Sequence, residues 1–237
     1  MHENPKLTVA MDGPSGSGKS SVAKEVARHF GLAYLDTGAM YRAATWHVLD
    51  QGISLDDKAA IAQAVKAMNL VFSCNPAEEE IMVGTQDIRE AIRGEEVSNA
   101  VSAVASVPEV REHLIALQRS AIDHAMNGMV AEGRDITTVV APDADARILL
   151  TASEEVRMRR RGLELADKGD NQDLTKQISE RDAKDSKVNN FMQAAEGVQL
   201  IDSSEMDFNE TVNAVINSIN AQVKAKRAAA TNADELE

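Results

Sequence analysis

Short apolar runs alternate along the chain with stretches in which apolar side chains return every three or four residues. Leu7-Thr8-Val9-Ala10-Met11 is one such run and predicts a buried strand. Val22, Ala23, Val26, Ala27 and Phe30 then recur at helical spacing, and Gly31 stands where a helix would be capped. Leu32 to Asp36 predicts a second strand, followed by a helix through Tyr41, Arg42, Trp46, Val48 and Leu49 to Gly52. Further strands are predicted at Gly128 to Glu132, Ala146 to Leu150 and Val198 to Asp202, and a closing helix carries Val212, Val215, Ile216 and Ile219. A strand-helix-strand series builds a parallel sheet flanked by helices, and ligands of such sheets sit beyond the carboxyl ends of the strands.

Residues 65–108 break this alternation. A helix with Ile61, Val65 and Met68 leads into Leu70-Val71-Phe72-Ser73, a polar turn at Asn75-Pro76 and Ile81-Met82-Val83, the pattern of a small hairpin. Ile88 to Val97, Ser98 to Ser106 and the stretch from Pro108 through Leu114, Leu117, Ala121 and Ala125 predict helices. The segment reads as an insertion into a core formed by residues 6–64 and 109–222. Beyond about Lys224 no apolar face remains, so residues 223–237 predict a disordered tail.

At 237 residues the chain can bury a good core, and one α/β domain with an insertion suits it better than two independent domains. The formal net charge of −13 argues against a protein that grips nucleic acid through its overall field. An anionic ligand must then be held by local arginines. The single cysteine, Cys74, excludes an intramolecular disulfide, and the five histidines show no metal-ligand spacing. No signal-like apolar segment opens the sequence, and no apolar run approaches the ~20 residues that span a bilayer. A soluble, cytoplasmic protein with no membrane partner is the expectation.

The chemistry is concentrated where the first strand ends. Asp12-Gly13-Pro14-Ser15-Gly16-Ser17-Gly18-Lys19-Ser20 matches G-x-x-x-x-G-K-[ST] in full, with a strand before it and a helix after it. Such a loop turns backbone N–H groups inward to cradle phosphates, so Gly13, Pro14, Ser15, Gly16, Ser17, Gly18, Lys19, Ser20 and Ser21 are candidate nucleotide ligands. Lys19 would reach the β- and γ-phosphates and Ser20 would hold Mg²⁺. Thr37, Tyr41 and Arg42 fall at the end of the second strand, where a helix N-cap and a half-exposed helix face are the plainer reading. Arg134 and Asp135 end the next core strand and would pair with a ligand, with each other, or with a turn. Arg157, Arg159, Arg160 and Arg161 crowd one helix of an acidic chain; they form either a solvated face or a set of guanidinium groups matched to phosphoryl-transfer charge.

With that loop, Leu35-Asp36-Thr37-Gly38-Ala39-Met40-Tyr41-Arg42 and Glu132-Gly133-Arg134-Asp135 in view, the chain resembles bacterial cytidylate kinases from about residue 6 to 220. The resemblance implies a P-loop fold: a five-stranded parallel sheet flanked by helices, a monophosphate-binding insertion and a helical lid at about 153–190. It implies ATP and Mg²⁺ as donor and metal, CMP or dCMP as acceptor, and a monomer active in pyrimidine nucleotide metabolism. Position by position, it implies that Ser102, Arg111 and Asp135 read cytosine, and that Tyr41, Arg42 and Arg134 hold the acceptor phosphate. Arg181 and Asp185 resemble a sugar-contacting pair. Arg157 and Arg160 resemble catalytic lid arginines, beside Lys19 in the loop.

Two positions depart from the family pattern. Thr137 replaces the usual glycine after Gly-Arg-Asp-Ile, and Val188 replaces a lid-side arginine. Two other classes compete for the loop. A guanine-nucleotide switch lacks support because no Asn-Lys-x-Asp is present; Asp167-Lys168-Gly169-Asp170 begins with the wrong residue. Another small-molecule P-loop kinase differs only in its acceptor.

Overall fold

The structure is a computed structural model that describes residues 6–166 and 193–234. Five parallel strands form its centre: β1 (Leu7–Asp12), β2 (Ala33–Asp36), β6 (Gly128–Gly133), β7 (Ala146–Thr151) and β8 (Gln199–Asp202), in the order β2-β6-β1-β7-β8. Val9 lies opposite Val130 and Ala146, which puts β1 in the middle. Because strand side chains alternate, Val9, Met11, Val130, Ile148 and Leu150 face one layer and Ala10, Met129 and Ala131 the other. The first face packs on α1 (Lys19–Phe30), through Val22, Val26 and Ala27, and on the last helix, α7 (Phe208–Asp234), through Val212, Val215 and Ile219. The second face meets Met40 of α2 (Thr37–Asp50) and the apolar side chains of α5 (Pro108–His124). Both faces being covered explains why the central strands read as unbroken apolar runs.

α3 (Lys58–Ala67) leads into the interrupting segment, which contains a three-stranded antiparallel sheet of β3 (Leu70–Phe72), β4 (Ile81–Val83) and β5 (Gln86–Asp87), and α4 (Glu95–Ala105). The expected hairpin is present, with Leu70 opposite Val83, and a short third strand extends it. The two helices expected over 88–106 are instead one 3-10 turn, Ala91–Arg93, and one α-helix, because Gly94 stands in an extended conformation between them. Ala44 and Val48 of α2 share a core with Ile61, Val65, Val104, Val110 and Leu114. The backbone N–H of Tyr34 in β2 donates to the Cys74 carbonyl at 2.8 Å, which fixes the small sheet beside the large one.

Where a disordered tail is expected from residue 223, α7 runs on through Asp234. Its last turns are exposed, so burial does not hold them. The alanine-rich sequence has high helical propensity and propagates from a turn already nucleated in the core. Lys226 also fastens this stretch, donating to the Asp143 carbonyl and to Asp145 Oδ1, both at 2.9 Å. No helix among the described residues is long and apolar enough to cross a membrane. Of the lid expected at about 153–190, α6 (Glu154–Ala166) is described, and Ser153 Oγ accepts from Val156 N at its start.

Candidate active site

β1 ends at Asp12 and α1 starts at Lys19, so the loop between them lies at the carboxyl edge of the sheet. Gly16 and Gly18 take φ of 76° and 84°, values that side chains with a Cβ rarely adopt, and a Cβ on Gly16 would stand 2.5 Å from the Arg157 carbonyl. Gly18, at the N-cap of α1, offers no side-chain acceptor, and helix N–H groups left uncapped in this way suit an anion.

Lys19 and Ser20 turn toward Glu132 on β6. Ser20 Oγ donates to Glu132 Oε1 at 2.7 Å, Tyr34 OH donates to the same oxygen at 3.2 Å, and Lys19 Nζ lies 3.9 Å from Oε2. Glu132 is 2 % exposed. Burial, with the charge of Asp36 behind it, pushes its carboxyl up to about 7, against the opposing pull of Lys19, Ser20 and Tyr34. Glu132 therefore carries an ionisation poised near neutrality beside the loop lysine.

Asp36, rather than Thr37, caps α2: its Oδ1 accepts from Ala39 N at 2.9 Å. Thr37 Oγ1 instead donates to the Glu132 carbonyl at 2.8 Å and anchors the helix to β6. One turn further, Tyr41 meets Arg111 and Asp135. The Arg111 guanidinium pairs with Asp135 Oδ2, and burial followed by the Asp135 charge raises the Tyr41 phenol above its ordinary value. The Tyr41 hydroxyl is buried without a hydrogen-bond partner among the described residues. Arg42 Nη1 donates to Ser98 Oγ at 3.1 Å and to the Ile92 carbonyl at 3.4 Å, which ties α2 to the insertion. Ser102 lies on α4 and Arg134 at the end of β6, both half-buried.

The family model for cytidylate kinase matches residues 9–221. The chain belongs to the cytidylate kinase family. A cytidylate kinase of Nocardia farcinica is 45 % identical over 228 residues, covering 94 % of this chain and 97 % of the relative. One from Streptomyces avermitilis is 45 % identical over 225 residues, 94 % of this chain and 96 % of the relative. One from Corynebacterium glutamicum is 40 % identical over 222 residues, 92 % and 96 % respectively.

For a cytidylate kinase chain, the bond pattern of the α6 arginines is informative. Arg157 is buried, and its Nη1 donates to the Ser15 carbonyl at 3.0 Å. Arg160 Nη1 donates to the Ser17 carbonyl at 3.2 Å and to Ser203 Oγ at 2.9 Å, while its Nη2 donates to the carbonyls of Ser203 at 2.9 Å and Met206 at 3.3 Å. Both arginines hold the outer side of the phosphate loop; Arg159 is exposed. Arg181, Asp185 and Val188 lie outside the described residues.

The structure thus brings together Lys19, Ser20 and Glu132 on one side and Tyr41, Arg111 and Asp135 on the other. The residue pattern alone gives no role to Glu132, because one acid among 38 Asp and Glu attracts no notice. The available signal was its place: the last charged position of an otherwise apolar strand beside the loop strand.

Proposed function

We propose that this chain transfers the terminal phosphoryl group of ATP to CMP and dCMP, giving ADP and CDP or dCDP. The observation that carries the reading is the pairing of a phosphate loop with the Tyr41, Arg111 and Asp135 group at the neighbouring strand ends. Family membership supports it, and so does the concentration of cations at this edge in a chain of net charge −13.

In the reaction an oxygen of the acceptor phosphate bonds to the γ-phosphorus as the bond to the β,γ-bridging oxygen breaks. Little covalent chemistry is asked of the protein; positioning and charge stabilisation suffice. Backbone N–H groups of the loop and of the first turn of α1 hold the donor phosphates, and Lys19 stabilises charge developing between β and γ. Arg157 and Arg160 keep the loop in shape from behind through the carbonyls of Ser15 and Ser17. Tyr41, Arg42 and Arg134 hold the acceptor phosphate, and the Tyr41 hydroxyl, buried without a hydrogen-bond partner among the described residues, is a donor suited to it.

Mg²⁺ fits the same corner. It takes few protein oxygens and completes its octahedron with phosphates and water, and the Ser20 hydroxyl and Glu132 carboxylate are such oxygens. Among the described residues no three His, Cys, Asp or Glu side chains gather to hold a metal by themselves. When bound, the ion would neutralise charge on the β- and γ-phosphates.

Asp135 gives cytosine its advantage. Its Oδ2 takes the Arg111 guanidinium, leaving the other oxygen to accept from the exocyclic amino group, where uracil presents a repelling carbonyl. Ser102 serves as a further base contact, and the chain acts as a cytoplasmic monomer in pyrimidine nucleotide metabolism. An acceptor screen with ATP and Mg²⁺, scoring ADP formation with CMP, dCMP, UMP, AMP and no acceptor, tests the reading. CMP and dCMP should lead by at least tenfold. ADP release that is equal without acceptor would rule it out.

A further inference from the structure

Asp12 ends β1 immediately before the phosphate loop and lies opposite Gly133 in the sheet. It is 2 % exposed. Its Oδ1 accepts from the Ile136 N–H at 2.9 Å, and its Oδ2 accepts from the Thr137 N–H at 2.9 Å and from the Thr137 hydroxyl at 2.6 Å. Three donors on one buried carboxylate offset the cost of taking it out of water. Burial raises the Asp12 carboxyl, and these bonds oppose the rise.

Asp135 is the residue next to this clasp. Its carbonyl accepts from Val139 N at 2.8 Å and Val140 N at 3.1 Å, closing the π-helical turn Ile136–Val140 that Asp12 caps with its two oxygens. Arg147 Nη1 donates to the Thr137 carbonyl at 3.3 Å and steadies the turn from β7. The backbone on which Asp135 stands is therefore referenced to the residue on which the phosphate loop stands. Glycine at 137 would keep the two backbone bonds and lose the hydroxyl bond, which is buried and short.

We propose that Thr137, acting through Asp12, is a positioning residue that fixes Asp135 relative to the phosphate loop and so sharpens discrimination between acceptor bases. The inference rests on the reading of Asp135 as the base-selecting carboxylate. Thr137 touches no substrate; its effect is transmitted by the Asp12 carboxylate to the neighbouring turn. Removing the hydroxyl leaves Asp12 with one donor fewer and gives the turn freedom, while the loop's own contacts with ATP stay intact.

The test measures kcat/KM for CMP and UMP, and KM for ATP, in T137V, T137G, T137S and D135N, with thermal unfolding beside them. In T137V the CMP to UMP ratio should fall roughly three- to tenfold while the KM for ATP moves by less than about twofold. T137S should restore the ratio, which a merely structural loss of packing would not do. T137G, which keeps both backbone donors and needs no space, should lower the ratio as T137V does and replaces it if valine does not fold. D135N reads base selection by itself. If D135N loses selectivity and neither T137V nor T137G does, the clasp is wrong and Asp135 stands. If D135N keeps the parent ratio, the reading of Asp135 fails and the clasp falls with it.

Discussion

Ser20 Oγ donates to Glu132 Oε1 at 2.7 Å, so the first turn of the loop helix and the end of β6 share a hydrogen bond at the corner where the donor phosphates are expected. The same carboxylate faces Lys19 and is raised to about 7 by burial. A carboxyl whose folded value lies above its unfolded value binds protons more tightly in the folded state, so its contribution to stability is present below about 4.5 and is lost as pH rises through about 7. The ligand-free protein should lose a few degrees of melting temperature across that window, and Glu132→Gln should flatten the loss. In activity, Glu132→Gln should lower kcat roughly ten- to a hundredfold and shift the Mg²⁺ requirement upward, since an amide is a poorer ligand for a hard cation. Wild-type kcat at unchanged Mg²⁺ demand would take Glu132 out of the site.

Lys19→Ala should leave the fold intact, because the side chain packs into no core cluster, and should lower kcat by about 10²- to 10³-fold. Without the cation the Glu132 carboxyl should titrate higher still. Steady-state kinetics with thermal unfolding as control checks both; turnover near that of the parent would contradict the assignment of the loop.

Tyr41→Phe removes one hydroxyl that has no described partner inside the protein. Its loss should cost the fold nothing and raise the KM for CMP roughly three- to tenfold, with the KM for ATP unchanged. An unaltered CMP constant would mean that the hydroxyl does not bind the acceptor phosphate.

Arg160 separates two roles that a cluster of arginines leaves mixed. Four acceptors from Ser17, Ser203 and Met206 hold its guanidinium. Arg160→Lys keeps the charge but cannot reproduce the fork, so the protein should lose about 2–3 kcal/mol of stability and its KM for ATP should rise. Retained stability with a large fall in kcat alone would favour a direct part in charge stabilisation instead.

The phosphate loop was legible because one motif, one strand and one helix speak together over fourteen residues, Leu7 to Ser20. Arg134 and Asp135 were legible as an unusual charge pair at a strand end, but their partners were not: Asp135 chose Arg111, 24 residues away, and only the packing of α5 against the sheet brings the two together. Thr37 looked like a cap and became an anchor, since the carboxylate of Asp36 one residue earlier outcompetes a hydroxyl for the cap position. At the tail the apolar pattern ends before the helix does. Periodicity reports burial, and α7 continues past its buried part on propensity and on the bonds of Lys226.

The hydrogen bond from Tyr34 N to the Cys74 carbonyl has a meaning for the life of the chain in a crowded cell. β2 is the outermost strand on its side of the large sheet, and an uncovered outer strand is a template on which another molecule can lay its own backbone. The insertion sits across that template at Cys74. The insertion thus covers an edge that would otherwise be open, and a substitution that loosens it from β2 should raise self-association before it lowers turnover.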